Sequence, residues 1–114
     1  MAEFSTSIRE VGSVTVLELC GYIDAHTAPQ LEDSISQLIA NNKYKIVVDF
    51  NQLKYISSAG LGVFMAFIET VRTNSGDIKL AAMQPNVFNI FDLLGFPLLY
   101  DIVENVDEAI CKFN

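Results

Sequence analysis

A short run of β-branched residues, Ile46-Val47-Val48, constrains the fold more than any other part of the chain. The run is apolar without alternation, which is typical of a strand that is covered on both faces by helices. It therefore predicts the central strand of a helix-covered sheet. After a predicted loop over residues 51–57, a second amphipathic helix is indicated by apolar residues at helical spacing, namely Leu61, Phe64, Met65, Ile68 and Val71.

The chain ahead of this strand predicts a hairpin and a helix. Residues 4–9 and 14–19 alternate between apolar and polar, as half-buried strands do. The segment Thr27-Ala28-Pro29-Gln30 has the form of a capping box with proline in the first turn, so a helix is predicted to begin at Thr27.

The part of the chain that follows this strand continues the alternation of strands and helices. A strand is predicted over residues 78–82, a helix over 85–94, a strand within 98–103 and a short helix over 104–111. Parallel neighbours need helical crossovers. The sequence therefore predicts an α/β fold, a single domain over residues 1–114 in which a mixed sheet of four or five strands is covered by about four helices.

The charge balance limits the classes of partner. Seven Lys and Arg residues stand against fourteen Asp and Glu residues, a net charge of −7, which disfavours nucleic acid and anionic membrane surfaces. Neither a signal peptide nor a membrane span is indicated by the sequence, so a cytoplasmic protein is expected. Cys20 and Cys111 are expected to be inert buried thiols in a reducing compartment.

The turn before the second helix is the most informative site candidate. Ser58 is predicted at the N-cap position, and a cap with no further role is the simplest interpretation. However, Ala59 and Gly60 would leave the Ser58 hydroxyl uncovered, and a helix N-terminus tolerates a phosphate. A partner could therefore reach this serine.

At this turn the sequence resembles the STAS domains, and among them the free-standing anti-sigma factor antagonists of bacterial partner switching. The resemblance covers nearly the whole chain and rests on four segments: Ile46-Val47-Val48-Asp49-Phe50, Tyr55-Ile56-Ser57-Ser58-Ala59-Gly60-Leu61-Gly62-Val63, Gly21-Tyr22-Ile23-Asp24 and Leu93-Leu94-Gly95-Phe96. It implies a phosphoserine at Ser58, made by an anti-sigma factor serine kinase and removed by a PP2C-type phosphatase. The family often has aspartate before that serine, whereas this chain has Ser57, so Ser57 stays an alternative to Ser58.

The resemblance also implies a partner-binding surface. In that reading the unmodified protein binds the anti-sigma factor through Asp24, Ser57, Ser58, Ala59, Gly60 and Leu61 and releases its sigma factor or other target. For Asp24 a simple turn role is the alternative, because aspartate is common in turns.

Two other functions compete with this one. A hydrolase elbow is disfavoured, because Ile56 replaces its first glycine and the only histidine, His26, precedes the serine. The sequence has no metal-ligand cluster, Walker lysine or dinucleotide-binding glycine pattern, so neither enzymatic activity nor a cofactor is expected. A STAS scaffold or small-ligand or nucleotide sensor without phosphorylation remains the other binding-module interpretation.

Overall fold

The β-branched run lies in the middle of a five-stranded sheet in the computed structural model, which describes residues 3–113. The strands lie in chain order across the sheet: β1 (Phe4–Val11), β2 (Val14–Ile23), β3 (Lys45–Ile56), β4 (Asp77–Ala81) and β5 (Ile102–Val103). The helices are α1 (Ala28–Ala40), α2 (Ser58–Thr73), α3 (Pro85–Leu93) and α4 (Val106–Cys111), with a 3-10 helix at Phe96–Leu98. The predicted α/β fold with a mixed sheet and four helices is confirmed.

The two-sided burial of the central strand is also confirmed. Ile46, Val47 and Val48 have no exposed surface. Ile46 and Val48 belong to the large core under α1, α2 and α3, whereas Val47 packs with Ala109 of α4 in a second core on the opposite face. The absence of alternation in the run therefore has a direct cause, because neither face of the strand meets water.

The strand order puts three helices on one face. β1 and β2 are antiparallel, and every later neighbouring pair is parallel. Each parallel connection steps the same way along the sheet, and right-handed crossovers that step the same way lie on the same side. We call the end of the sheet where β2 to β5 terminate the carboxyl edge, and the end where they begin the amino edge.

The predicted bounds of two strands were wrong. The predicted loop over residues 51–57 is instead mostly strand, because β3 continues to Ile56 with Leu53 and Ile56 buried, and it stays paired with β2 through register shifts. The predicted strand within 98–103 shrinks to two residues. Gly95 adopts φ 77° and turns the chain into the 3-10 helix, which delays entry into β5.

Two smaller predictions were also wrong. Both cysteines are exposed. Cys20 follows Val14 and Val16 on the face of β2 that α4 covers, but α4 has only six residues and leaves the far part of that face open. Thr27 precedes α1 without a side-chain cap, so the predicted capping box does not form. None of the helices in residues 3–113 has both the length and the apolar character needed to cross a membrane.

Candidate functional site

The two serines before α2 differ from each other in exposure. The N-cap residue is Ser57, not Ser58 as predicted, because β3 runs on to Ile56 and the helix begins at Ser58. The Ser57 hydroxyl is buried and has no hydrogen-bond partner among the described residues, and it does not cap the helix. Ser58 is exposed at the first helical position. Of the two hydroxyl-bearing residues, Ser58 is therefore the one that a second protein can reach.

The beginning of α2 packs tightly onto the sheet because it contains glycine. A Cβ atom on Gly60 would lie 2.6 Å from Ile23 Cγ2 and 2.7 Å from Ile56 Cγ1, so only glycine allows this close approach. Gly60 is buried and Leu61 is 4% exposed in the core. These two predicted contact residues support the surface from beneath, whereas Ala59 lies exposed on it.

Asp24 organises the neighbouring turn at the carboxyl edge. Its Oδ1 accepts hydrogen bonds from the backbone N–H groups of His26 (2.8 Å) and Thr27 (3.0 Å). The hydroxyl of Thr27 donates to the carbonyl of Tyr22 and accepts from the backbone N–H of Asp24. The hydrogen bond from the Thr27 backbone lowers the pKa of the Asp24 carboxyl, and the His26 backbone and the Thr27 hydroxyl act in the same direction. Asp24 thus has the turn role that was its alternative, and as a half-exposed carboxylate it can still meet a partner.

One backbone hydrogen bond joins the two turns. The N–H of Ser57 donates to the carbonyl of Ile23 over 2.9 Å. These are the residues that immediately precede Ser58 and Asp24. The two predicted site residues therefore begin adjacent turns at the carboxyl edge, and the link between them is main chain, which substitution of either side chain leaves in place.

A shallow groove of ≈ 300 Å³ continues from these turns between α1 and α2. Ala25 lies on the Asp24 side and Ala59 lies on the Ser58 side, so the groove adjoins both. Most of its wall consists of small or apolar residues: Ala25, Ala28, Pro29, Glu32, Ala59, Gly62, Val63 and Ala66. With so little side-chain bulk, another backbone or helix can approach closely.

The charges at the carboxyl edge are mostly negative. The turns after β2 and β5 and the early turns of α1 and α4 carry Asp24, Glu32, Glu104, Asp107 and Glu108. None of the acidic side chains described in residues 3–113 joins a cluster of three or more metal-ligating groups. This end of the molecule therefore favours a partner with basic side chains rather than a cation site.

Sequence reasoning missed the α1 side of the groove. Its signal was present, because small residues recur about one turn apart on both helices, at Ala25 and Ala28 before and within α1 and at Ala59, Gly62 and Ala66 on α2. Only the packing of α1 against α2 shows that the two rows face one common groove.

Comparison with known proteins gives a consistent result. The family model described as the STAS domain matches residues 5–109. An anti-sigma-B factor antagonist of Listeria monocytogenes is 28% identical over 86 residues, which covers 75% of this chain and 73% of that protein. Anti-sigma factor antagonists are regulatory binding proteins, not enzymes.

Solved structures show the same fold. An anti-sigma factor antagonist from Mycobacterium paratuberculosis superposes with a TM-score of 0.89 at 24% identity, covering 96% of this chain and 93% of the other. The antagonist SpoIIAA superposes in its unphosphorylated form with a TM-score of 0.82 at 22% identity, covering 96% of each chain. Its phosphorylated form, described as a Bacillus cell fate determinant, gives a TM-score of 0.74 at 21% identity and covers 96% of this chain and 100% of the other.

Proposed function

This chain belongs to the STAS domain family, and from that premise we propose that it is an anti-sigma factor antagonist switched by phosphorylation of Ser58. In the unmodified state it binds a cognate anti-sigma factor serine kinase, which then releases its sigma factor or other target. Phosphorylation ends the binding, and a PP2C-type phosphatase restores it. The observation that carries the proposal is the contrast between the exposed Ser58 and the buried hydroxyl of Ser57.

The docking surface in this proposal is the pair of turns and the adjoining groove. Ser58 and Ala59 supply the exposed rim on α2, Asp24 supplies a carboxylate, and Gly60 and Leu61 hold the rim in place from below. The small residues allow the kinase to bring its own backbone close to Ser58. The acidic turns favour a kinase surface rich in Lys and Arg.

The physical effect of phosphorylation follows from the position of Ser58. A phosphate adds about −1.5 to −2 charge and three acceptor oxygens. The start of α2 tolerates it, because anions near a helix N-terminus stabilise by about 0.3–1 kcal/mol when exposed. A partner packed against Ala59 and the groove would meet added bulk and added negative charge, so the complex weakens while the fold of the antagonist survives.

Three variants test the proposal. Each is incubated with ATP and the kinases encoded near its gene, intact mass reports phosphate, and titration calorimetry reports binding. Ser58→Ala should bind constitutively and gain no phosphate, whereas Ser58→Asp should fold normally and bind at least tenfold more weakly. Ser57→Ala is the matched control, and it should still gain one phosphate.

Three outcomes would refute the mechanism. They are phosphate on Ser57, tight binding by Ser58→Asp, and failure of the wild type to gain phosphate from any neighbouring kinase. The last outcome would favour the scaffold or ligand-sensing role instead.

A further inference from the structure

Four leucines near the amino edge are unusually exposed. Leu93, Leu94, Leu98 and Leu99 have 85%, 59%, 90% and 48% of their surface in water, the equivalent of nearly three leucines left outside the core. They lie within seven consecutive residues, at the end of α3 and around the 3-10 helix. We call them the leucine patch. Apolar patches of this kind on a folded protein usually mark an interaction surface.

The segment that carries the patch is held firmly from beneath. Phe96 lies between two leucine pairs, is 5% exposed and packs edge-to-face on Phe91 with ring centroids 5.0 Å apart. Tyr100 is also buried and packs on Phe96 at 5.2 Å. Arg72 at the end of α2 donates a hydrogen bond to the carbonyl of Leu99. The leucines are therefore presented on an anchored segment.

The charges beside the patch are balanced, unlike those at the carboxyl edge. Lys79 bridges Asp77 (3.0 Å) and Asp101 (2.7 Å), and Arg72 pairs with Asp77 (3.0 Å). These four side chains carry two charges of each sign, and Asp92 adds one negative charge beside the leucines. A strongly charged partner of either sign thus finds little to complement here, and a basic one is drawn to the opposite end of the molecule.

A surface that is apolar and nearly neutral is compatible with a copy of itself. In a two-fold contact each leucine patch meets the same patch of the other subunit, and no large like-charge repulsion opposes the approach. We propose that the leucine patch is the interface of a reversible homodimer of this chain. A stable interface buries about 800 Å² per partner, more than four partly exposed leucines supply, so the dimer dissociates readily on dilution.

The dimer has a consequence for the rest of the molecule. The patch lies near the amino edge, and Ser58 lies at the carboxyl edge. Pairing through the patch therefore leaves both Ser58 turns uncovered, so one dimer presents two of these turns. The inference does not depend on the proposed function, since it concerns the opposite end of the molecule.

Sedimentation of the full chain from low to high micromolar concentration tests this proposal. The average mass should rise from that of the monomer towards twice that value. Leu93→Glu and Leu98→Glu, both at exposed positions, should keep the monomer mass throughout with an unchanged circular dichroism spectrum. Ile8→Glu is the matched control, because Ile8 is 51% exposed but lies on β1, and it should dimerise like the wild type.

A second measurement requires no variant. In an NMR dilution series of the wild type, amide shifts should change at residues 93–99 and at their neighbours in the core, and not around residues 57–63. The proposal is overturned if the wild type stays monomeric at the highest concentration, if Ile8→Glu abolishes dimerisation equally, or if the shifts map elsewhere.

Discussion

The two ends of the sheet are built in opposite ways. Near the amino edge, side chains hold the structure together: Phe91, Phe96 and Tyr100 stack in sequence, and Lys79 joins β4 to the start of β5 through Asp101. At the carboxyl edge the link between β2 and β3 is a main-chain hydrogen bond, and the exposed residues at the start of α2 are small. The exposed side chains around Ser58 thus contribute little to the stability of the fold, so the chemistry of that surface can change at little cost to stability.

The largest loss of stability should follow the removal of an aromatic ring from the core. Phe91 is fully buried against Phe50, Phe64 and Phe96. Phe91→Ala should lower the free energy of unfolding by about 3–5 kcal/mol, because apolar transfer energy is lost and a cavity remains. Ser58→Ala, at the other end, should change it by less than about 0.5 kcal/mol. Urea denaturation measures both, and similar losses would contradict the comparison.

The next largest effect is expected at alkaline pH, which should lower the free energy of unfolding through two groups near the amino edge. Burial raises the pKa of the Tyr100 hydroxyl to about 12. Burial lowers the pKa of the Lys79 ammonium group, but its hydrogen bonds and ion pairs with Asp101 and Asp77 together outweigh burial, so the pKa is raised from the ordinary value of 10.5. At alkaline pH both groups keep a proton in the folded state that the unfolded chain releases. Their contribution to the free energy of unfolding is therefore complete below about pH 10 and declines as pH rises towards 12.

Denaturation between pH 9 and 12, as a function of pH, measures this decline, which for Tyr100 should reach up to about 3 kcal/mol. Tyr100→Phe should show a shallower decline, because of these two groups only Lys79 then contributes to it. A wild-type curve that stays flat up to pH 12 would contradict the assignment.

Adding a methyl group at the start of α2 should lower the free energy of unfolding by a smaller amount. Gly60→Ala places Cβ against Ile23 and Ile56, and overpacking of this kind costs about 1–3 kcal/mol. Gly62→Ala is the matched control two residues along the same helix, where a Cβ meets nothing within 4 Å. It should be neutral or gain up to about 1 kcal/mol from helix propensity.

Gly60→Ala and Gly62→Ala also separate effects on stability from effects on kinase binding. Gly62 lines the groove beside Ser58, so Gly62→Ala should weaken kinase binding while leaving stability intact. Equal stability of the two variants in thermal unfolding would show that α2 is not seated on Gly60.

The smallest effect should come from Asp24. Its pKa is lowered by hydrogen bonds that are stronger to the charged carboxylate than to the protonated carboxyl, so this extra stabilisation is present above the ordinary value of 3.8 and is lost as pH falls through the lowered one. We expect faster amide exchange at His26 and Thr27 once the carboxyl is protonated, while exchange in β3 stays slow. Asp24→Ala, which removes the acceptor oxygen, should give fast exchange of these two amides at every pH, and unchanged exchange would argue against the turn.

The spacing of apolar residues and the residues typical of turns and helix ends predicted most of the fold. The run Ile46-Val47-Val48 correctly placed the central strand, because burial on both faces leaves a direct mark on composition. The end of β3 was not predictable, since Asn51, Gln52, Lys54 and Tyr55 are exposed and resemble a loop, while their pairing with β2 depends on register shifts that only the folded sheet reveals.

For the site, the sequence identified the correct turn but not the positions within it. The shift of the N-cap from Ser58 to Ser57 follows from that same extension of β3. The burial of Gly60 and Leu61 follows from helix packing, and a single segment cannot reveal it. The function of Ser58 as a phosphorylated residue stays a prediction.

The separation of charge between the two ends gives the molecule an orientation before it touches anything. Acidic residues predominate at the carboxyl edge, whereas near the amino edge basic residues, among them Lys43, Lys45 and Lys112, offset the acidic ones. In the field of an approaching cationic protein this distribution acts as an electric dipole. The resulting torque turns the end that carries Ser58 towards the partner before contact. Productive collisions then become a larger share of all collisions, so added salt should slow association far more than it hastens dissociation.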